Sequence, residues 1–212
     1  MRVTGPVTLA TRNAGKLAEL QALCRGVLEL RLLPSDPAPP EVDEDQETYL
    51  GNALKKARAI AAFTGGAALA DDSGLEVDAL PGELGVRSAR YGGPGLDDAA
   101  RCARLLEAMR GVAQRSARFR CVLVLAQADD WVSAEGVLEG EITAAPRGQG
   151  GFGYDPVFAL RERGGATLAQ ITAVEKNALS HRAAAMRALV TKLHGGEVRM
   201  RATSIDSPEG ES

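Results

Sequence analysis

One segment near the N-terminus combines residue types that suit an anion. It reads Thr11-Arg12-Asn13-Ala14-Gly15-Lys16 and joins a short apolar run to a stretch of helical periodicity. Backbone N–H groups at a helix N-terminus favour an anion, Gly15 permits close approach, and Lys16 adds positive charge. The Walker pattern is absent, because Ala10 and Leu17 occupy two of its required positions. Taken alone, the segment is better explained as a capped turn with a solvated lysine.

Two adjacent carboxylates follow an apolar run over residues 67–70, in the order Asp71-Asp72-Ser73-Gly74. Hard divalent cations such as Mg²⁺ take carboxylate oxygens, and a carboxylate near such a metal can deprotonate an attacking water. An Asp-rich turn that bonds to its own backbone explains the pattern equally well. Residues 41–47 hold five acids and offer a further ligand, although a charge run of this kind is more often solvated.

A glycine-rich segment, Gly151-Phe152-Gly153-Tyr154-Asp155-Pro156, carries two aromatic rings and an acid. Such a loop can stack a flat base while Asp155 or the backbone reads its polar edge. The alternative is an aromatic-anchored turn beneath a sheet. The chain has only four Phe, three Tyr and one Trp, so two rings among these glycines favour a ligand pocket.

Three basic residues near the C-terminus, Lys176, His181 and Arg182, form another candidate group. They have the charge to converge on phosphate or on purine carbonyl oxygens, whereas the alternative is a capped helix start with solvated charges. Thr172 and Glu175 match a capping box, which predicts a structural role for part of this segment.

The elements that must position these residues alternate between strand and helix in the first part of the chain. Periodicity predicts strands over residues 7–11, 28–33, 67–70, 119–127 and 131–139. It predicts helices with apolar positions from Leu17 to Val27, from Thr48 to Gly65, from Asp97 through Met109, and from Ser180 to Gly195. Residues 74–95 are rich in glycine and are interpreted as a functional loop. This order predicts an α/β fold, with a mixed sheet and helices on its faces.

Composition excludes several classes of protein. The chain has 212 residues, with 25 Lys+Arg against 28 Asp+Glu, so bulk positive charge for nucleic-acid binding is absent. Three widely spaced cysteines without a C-x-x-C pair argue against a disulfide framework and a zinc site, and favour a reducing compartment. No run approaches the roughly 18 apolar residues of a membrane span. We expect one cytoplasmic domain over residues 1–195, with a flexible tail over 196–212.

Six motifs in order resemble the Ham1-like inosine triphosphate pyrophosphatases, also called XTP/dITP diphosphatases. One such motif is weak, but six in order over nearly the whole chain are specific. They are Thr11 to Lys16, Thr48-Tyr-Leu-Gly-Asn-Ala-Leu-Lys-Lys-Ala57, Ala70-Asp-Asp-Ser-Gly-Leu-Glu-Val-Asp-Ala79, Ser88-Ala-Arg-Tyr-Gly92, Gly150-Gly-Phe-Gly-Tyr-Asp-Pro-Val-Phe158, and Glu175-Lys-Asn177 with Ser180-His-Arg182.

The resemblance implies an elongated mixed sheet in two lobes with a central cleft, and a homodimer. It also implies a Mg²⁺-dependent enzyme that converts ITP, dITP and XTP to the monophosphate and pyrophosphate, and so cleanses the nucleotide pool. Glu44 and Asp72 would hold the metal, and Asp72 would be the base for water. The implied substrate-binding residues are Thr11, Arg12, Asn13, Ala14, Gly15, Lys16 and Lys56 at the triphosphate, and Ser73, Phe152, Gly153, Tyr154, Asp155, Lys176, His181 and Arg182 around the nucleotide.

Some positions depart from the family pattern. Gly51 stands where the family usually has Glu, Leu84 where Pro is usual, and Ala173 where Arg is common. Asp43, Asp45 and Glu47 are candidates to compensate for the carboxylate missing at position 51. Two other functions stay open: a pyrophosphatase for other modified nucleotides, and a nucleotide-binding sensor without turnover.

Overall fold

The computed structural model describes Val3 and residues 5–195, which form one seven-stranded sheet in the order β2-β1-β3-β4-β5-β6-β7. The strands are β1 (Val7–Leu9), β2 (Leu30–Arg31), β3 (Ala67–Val77), β4 (Ser116–Gln127), β5 (Asp130–Ile142), β6 (Phe158–Leu160) and β7 (Ala166–Thr167). β1 pairs in parallel with β2 and β3, and each remaining pair is antiparallel. The predicted mixed α/β sheet is confirmed.

Within the described residues five α-helices flank the sheet, and polar side chains cap their starts. They are α1 (Ala14–Cys24), α2 (Tyr49–Thr64), α3 (Asp98–Ala108), α4 (Ala173–Leu179) and α5 (His181–His194). The side chains of Asn13, Thr48, Asp97, Thr172 and Ser180 each accept a hydrogen bond from a backbone N–H of the first turn. The predicted capping box of Thr172 and Glu175 is present, and it starts the short helix α4, which periodicity did not reveal.

The strand that carries the acidic pair is longer than the sequence predicts. β3 continues to Val77 instead of ending at residue 70, and β4 pairs with it from Ala68 to Val77. The interpretation of Asp71 and Asp72 as an Asp-rich turn is therefore wrong, as is a loop beginning at residue 74. The rest of that predicted loop includes a 3-10 helix over Gly85–Arg90. The second strand is shorter than predicted, with only the two residues of β2.

The hydrophobic core is divided along the long strands. One cluster lies between the sheet and helices α1 and α5, and a second lies under α2 on the opposite face. A third packs against α3 at the far end of β3 and β4, around Leu75, Leu105 and Phe119. This division agrees with the expected two lobes, and the segment from Asp71 to Gly74 lies between the clusters.

Two further predictions concern the C-terminal tail and membrane-spanning segments. The predicted tail, residues 196–212, lies outside the described residues. Among the residues that the structure describes, no helix is long and apolar enough to cross a membrane.

Candidate active site

The segment from Thr11 to Lys16 forms the turn between β1 and α1. Asn13 caps the helix by accepting from the Lys16 N–H at 2.9 Å, and its own N–H donates to Thr11 Oγ1 at 3.2 Å. Arg12 reaches outward, and its guanidinium donates to the Pro39 carbonyl at 3.0 Å. The turn lines a cavity of about 430 Å³, together with Asp43, Glu44 and Lys56.

Asp71 and Asp72 lie just beyond the end of β1, because β1 pairs with β3 only as far as Leu9 and Leu69. Successive side chains of a strand point to opposite faces, so the two carboxylates meet different helices. Lys16 Nζ lies 3.2 Å from Asp71 Oδ2. Lys16 is therefore held over the sheet and is not the solvated lysine of an ordinary turn.

Asp72 faces α2, where Asn52 and Lys56 lie one helical turn apart. Asn52 Nδ2 donates to Asp72 Oδ2 at 3.1 Å, and Lys56 Nζ lies 3.5 Å from Asp72 Oδ1. Burial raises the pKa of Asp72, and the nearby Lys56 and Lys16 only partly oppose this rise. The Asp72 carboxyl therefore binds a proton more readily than an exposed aspartate does.

The Lys56 ammonium also bonds Glu44 Oε1 at 2.6 Å, so Glu44 and Asp72 share one cation. Within residues 5–195 no group of three or more His, Cys, Asp and Glu side chains is arranged to hold a metal. Mg²⁺ is often bound by only one or two carboxylates, with waters and substrate phosphates completing its shell. Two carboxylates that converge on one positive charge fit that ion.

The acids that were candidates to compensate for Gly51 point in different directions. Asp45 pairs with Lys55 at 2.9 Å on the surface. Glu47 lines a second cavity of about 1380 Å³, on the side of Tyr49 and β4. Asp43 lines the smaller cavity beside Glu44.

Arg182 forms the centre of a buried network of charges on the other face of β3. Its guanidinium donates to Asp71 Oδ2 at 3.2 Å, to Glu19 Oε2 at 2.9 Å and to Ser73 Oγ at 2.7 Å. Burial alone would raise the pKa of Asp71, but Lys16 and Arg182 outweigh burial and hold it below its usual value. Asp71 is therefore a permanent anion that fixes two cations.

The glycine-rich segment places the Phe152 ring at the junction of these groups. Lys176 Nζ lies 4.5 Å from the ring centroid and the Arg182 guanidinium carbon 5.4 Å from it. The ring also lies against Gly15, where an added Cβ would come within 2.5 Å of it. Phe152 thus joins the turn after β1 to the basic residues of α4 and α5.

Asp155 is occupied by contacts within the protein. Its Oδ2 accepts from the Phe152 N–H at 2.9 Å and pairs with Lys176. Lys176 Nζ also lies 2.7 Å from Glu19 Oε1. In this arrangement Asp155 orients the Phe152 loop, whereas the Phe152 ring lies between Gly15 and Lys176.

Tyr154 and His181 are buried away from the cavity. The Tyr154 hydroxyl donates to the Ser88 carbonyl at 2.7 Å, as an aromatic-anchored turn requires, and the Gly153 N–H donates to Asp98 at 2.6 Å. The His181 ring stacks on Phe119 with centroids 4.8 Å apart. Burial, reinforced by Arg182 and Lys176, holds the pKa of His181 well below its usual value, so the imidazole is neutral.

Two residues of the site are absent from the set that the sequence singled out. Glu19, a buried acid on α1, bonds both Lys176 and Arg182, and no sequence pattern marks its partners. Asn52 lies four residues before Lys56, and that helical spacing is the signal that associates it with the site.

The model of the Ham1 family matches residues 7–192. The chain belongs to the Ham1 family. The dITP/XTP pyrophosphatase of Thioalkalivibrio sulfidiphilus is 50% identical over 194 residues, which cover 89% of this chain and 98% of that one. The protein of the same name from Xanthomonas oryzae is also 50% identical over 194 residues, covering 89% of this chain and 96% of its own.

Solved structures of Ham1 proteins have the same fold. The Ham1 protein of Coxiella burnetii matches with a TM-score of 0.80 and 41% identity, over 91% of this chain and 100% of its own. The nucleoside-triphosphatase / dITP/XTP pyrophosphatase of Mycobacterium abscessus matches with a TM-score of 0.69 and 42% identity, over 87% of this chain and 98% of its own.

Proposed function

We propose that this chain hydrolyses dITP, ITP and XTP to the nucleoside monophosphate and pyrophosphate. Relatives that are 50% identical over nearly their whole length carry the name dITP/XTP pyrophosphatase. The observation that carries the proposal is the placement of Lys16 and Lys56 beside Asp71 and Asp72 at one cavity. Two cations and a buried carboxylate next to a helix N-terminus suit a triphosphate and its hydrolysis.

The triphosphate occupies the cavity lined by Lys16 and Lys56. Helix α1 begins beside this cavity, with Asn13 and Lys16 in the lining, so the free N–H groups of its first turn would add donors for the phosphate oxygens. Lys56 exchanges part of its contact with Glu44 for a phosphate oxygen, since a phosphate chain presents more negative charge than one carboxylate. Binding therefore uses groups that are already gathered in the structure.

Glu44 and Asp72 would hold Mg²⁺, as their shared contact with Lys56 supports. The ion, when bound, neutralises negative charge on phosphoryl oxygens. Asp72 accepts the proton of a water that attacks the α-phosphorus, while the bond to the bridging oxygen breaks and pyrophosphate leaves. Asn52 holds the other Asp72 oxygen, so Oδ1 is the one directed to Lys56 and the substrate.

The base lies beside Phe152, where stacking requires no particular base. Selection comes from Lys176 and Arg182, which carry hydrogen-bond donors and no acceptors and flank the same ring. Inosine and xanthine present a carbonyl at the 6-position, which accepts these bonds. Adenine presents an amino group there, so donors would face donors, and a mismatch of buried polar groups can separate substrates by orders of magnitude.

We also propose a cytoplasmic homodimer. The dimer follows from the resemblance stated for the sequence. The location is supported by the three cysteines, which are free and buried in the described structure. A free thiol in the core needs no oxidising compartment.

The experiment that tests this function measures pyrophosphate released from dITP, XTP, ATP and GTP, with Mg²⁺ and with EDTA. We expect release from dITP and XTP that requires Mg²⁺, at least about 100-fold slower release from ATP, and a loss of about 1,000-fold or more in kcat for Asp72→Asn. The asparagine keeps the size of Asp72 but accepts no proton.

Each other outcome points to a different function. Equal rates on all four nucleotides would leave the phosphate chemistry intact and overturn the base selection. Release only from other modified nucleotides would identify a related pyrophosphatase. Tight nucleotide binding with no release by the wild-type protein would identify a sensor and overturn the proposal.

A further inference from the structure

The Asn52 side chain is buried, with only 1% of its surface exposed, and both ends of its amide are in use. Its Oδ1 accepts from the Gln46 N–H at 2.9 Å, and its Nδ2 donates to the Gln46 carbonyl at 3.3 Å and to Asp72 Oδ2 at 3.1 Å. An Asn amide offers two donors and one carbonyl oxygen. The same group therefore binds a loop backbone and a carboxylate.

The two partners of Asn52 belong to different segments of the candidate metal site. Gln46 is two residues after Glu44, in the acidic loop of residues 41–47, whereas Asp72 lies on β3. Asn52 itself is in the first turn of α2, which is anchored by its Thr48 cap. One rigid side chain thus fixes the position of the loop relative to Asp72.

Gly51, the residue before Asn52 in α2, lies where the acidic loop packs closely against the helix. A Cβ added there would lie 2.9 Å from Gln46 Cβ, which is closer than real Cβ contacts come, and 3.1 Å from Thr48 Oγ1, which is tighter than most. The acidic loop therefore packs against the helix where the helix has no side chain. Glu44 is held in addition by Lys56 and by Arg90, whose Nη2 donates to the Glu44 carbonyl at 2.7 Å.

We propose that Asn52 is a positioning residue, which holds the loop of residues 41–47 so that Glu44 and Asp72 face the same point. This inference rests on the proposed function for its effect on the reaction. The contact itself, between one amide and two segments, is independent of that function. The Asn52 side chain bonds Gln46 and Asp72, so it acts on the reaction through Glu44 and Asp72.

The first test is backbone hydrogen exchange of the metal-free protein, which needs no activity. In the wild-type protein the Gln46 N–H is bonded to Asn52 and should exchange slowly. In Asn52→Ala we expect exchange over residues 41–47 to rise at least about 10-fold, because the buried bond is lost. Gly51→Ala should raise it as well, by a smaller factor, since the new Cβ displaces Gln46. Alanine is a better helix former than glycine, so this second variant keeps α2 folded.

Lys55→Ala is the matched control, because it removes only the exposed contact of Lys55 with Asp45 in the same loop. Exchange over residues 41–47 should stay within about 2-fold of the wild-type rate, since exposed ion pairs contribute little.

The second test separates kcat from KM for dITP and measures the Mg²⁺ concentration that gives half the maximal rate. For Asn52→Ala we expect kcat to fall about 10-fold or more and the half-saturating Mg²⁺ concentration to rise several-fold, with KM within about 3-fold. Lys55→Ala should match the wild-type protein in all three values.

Faster exchange together with unchanged kinetics would overturn the positioning role and leave only a loop anchor. Unchanged exchange in Asn52→Ala would overturn the contact itself. If the wild-type protein hydrolyses no nucleotide, the proposed function fails, and the exchange comparison still decides whether Asn52 holds the loop.

Discussion

The two ends of the candidate site hold their charges in different ways. We define the phosphate end as Lys16, Lys56, Glu44 and Asp72, and the base end as Phe152, Asp155, Lys176, His181 and Arg182. At the phosphate end Glu44 is 34% exposed and Lys56 faces a cavity of about 430 Å³. At the base end the ion pairs of Lys176 and Arg182 are buried, with side chains at most 10% exposed.

This difference indicates that the phosphate end exchanges its contacts when substrate binds, whereas the base end keeps them. A half-buried partner such as Glu44 can exchange a protein contact for a phosphate oxygen or a metal at little cost, because water reaches it and replaces what is lost. The buried network joins Lys176 and Arg182 to three anions, Glu19, Asp71 and Asp155. Lys16 of the phosphate end completes the charge balance through its contact with Asp71. Such a network keeps its donors fixed, and fixed donors are what discrimination between a carbonyl and an amino group requires.

The largest expected effect compares the stability of two variants that each lose one cation. Arg182→Met leaves the buried network with an excess negative charge and should lower the free energy of unfolding by about 3–5 kcal/mol. Lys56→Met should cost only about 1 kcal/mol, because Glu44 becomes solvated and Asp72 keeps its bond to Asn52. Urea unfolding of both variants measures the difference, and equal losses would show that the two ends do not differ as described.

A smaller effect is expected at Gly15, where the two ends touch. An added Cβ would come within 2.5 Å of the Phe152 ring. Gly15→Ala should therefore displace the ring, lower the free energy of unfolding by about 1–3 kcal/mol and raise KM for dITP about 10-fold. Ala14→Gly, at the preceding position, is the control for backbone flexibility in this turn. A KM that is unchanged in Gly15→Ala would separate Phe152 from base binding.

The smallest expected effect is a change in the pH dependence of the free energy of unfolding, caused by the neutral imidazole of His181. The pKa of His181 is well below its usual value of about 6.5 in the folded protein, because of burial and the nearby Arg182 and Lys176. The unfolded chain gains a proton as the pH falls through 6.5, so the stability that depends on neutral His181 is present above that pH and lost below it.

Between pH 7 and 5.5 the wild-type protein should lose about 1 kcal/mol more than His181→Asn. Both proteins share every other titrating group, so the difference between their pH profiles of unfolding isolates His181. Parallel profiles would mean that His181 takes up its proton in the folded protein at the same pH as in the unfolded chain.

Local signals in the sequence predict much of the fold. The capping residues Thr48, Asp97 and Ser180 mark helix starts where the structure has them, and Gly65 ends α2 in the left-handed conformation, with φ of 65°. The extent of β3 was not predictable in this way. Asp, Ser and Gly favour turns locally, yet Asp71 to Gly74 pair with residues 120–123 of β4, some fifty positions along the chain.

In the candidate site, too, local signals were predictable and contacts between distant positions were not. The motifs indicate Lys16, Lys56 and Asp72 because their residue types and neighbours suit phosphate chemistry. Which groups are paired internally depends on contacts between distant positions, such as Arg182 with Asp71, 111 residues apart. The resemblance implies that Arg182 binds the nucleotide, and the alternative from the sequence is a solvated charge. Its buried contacts with Asp71, Glu19 and Ser73 are evident only in the folded structure.

The most direct test of the division between the two ends is one substitution made at each. Lys56→Gln and Lys176→Gln replace a group that only donates hydrogen bonds with one that also accepts. The measurement is kcat/KM for dITP and for dATP in both variants and in the wild-type protein. We predict that Lys56→Gln lowers both values about 10–100-fold and leaves their ratio within about 3-fold, whereas Lys176→Gln lowers the ratio at least about 10-fold. A ratio that falls in Lys56→Gln, or stays unchanged in Lys176→Gln, would contradict the account.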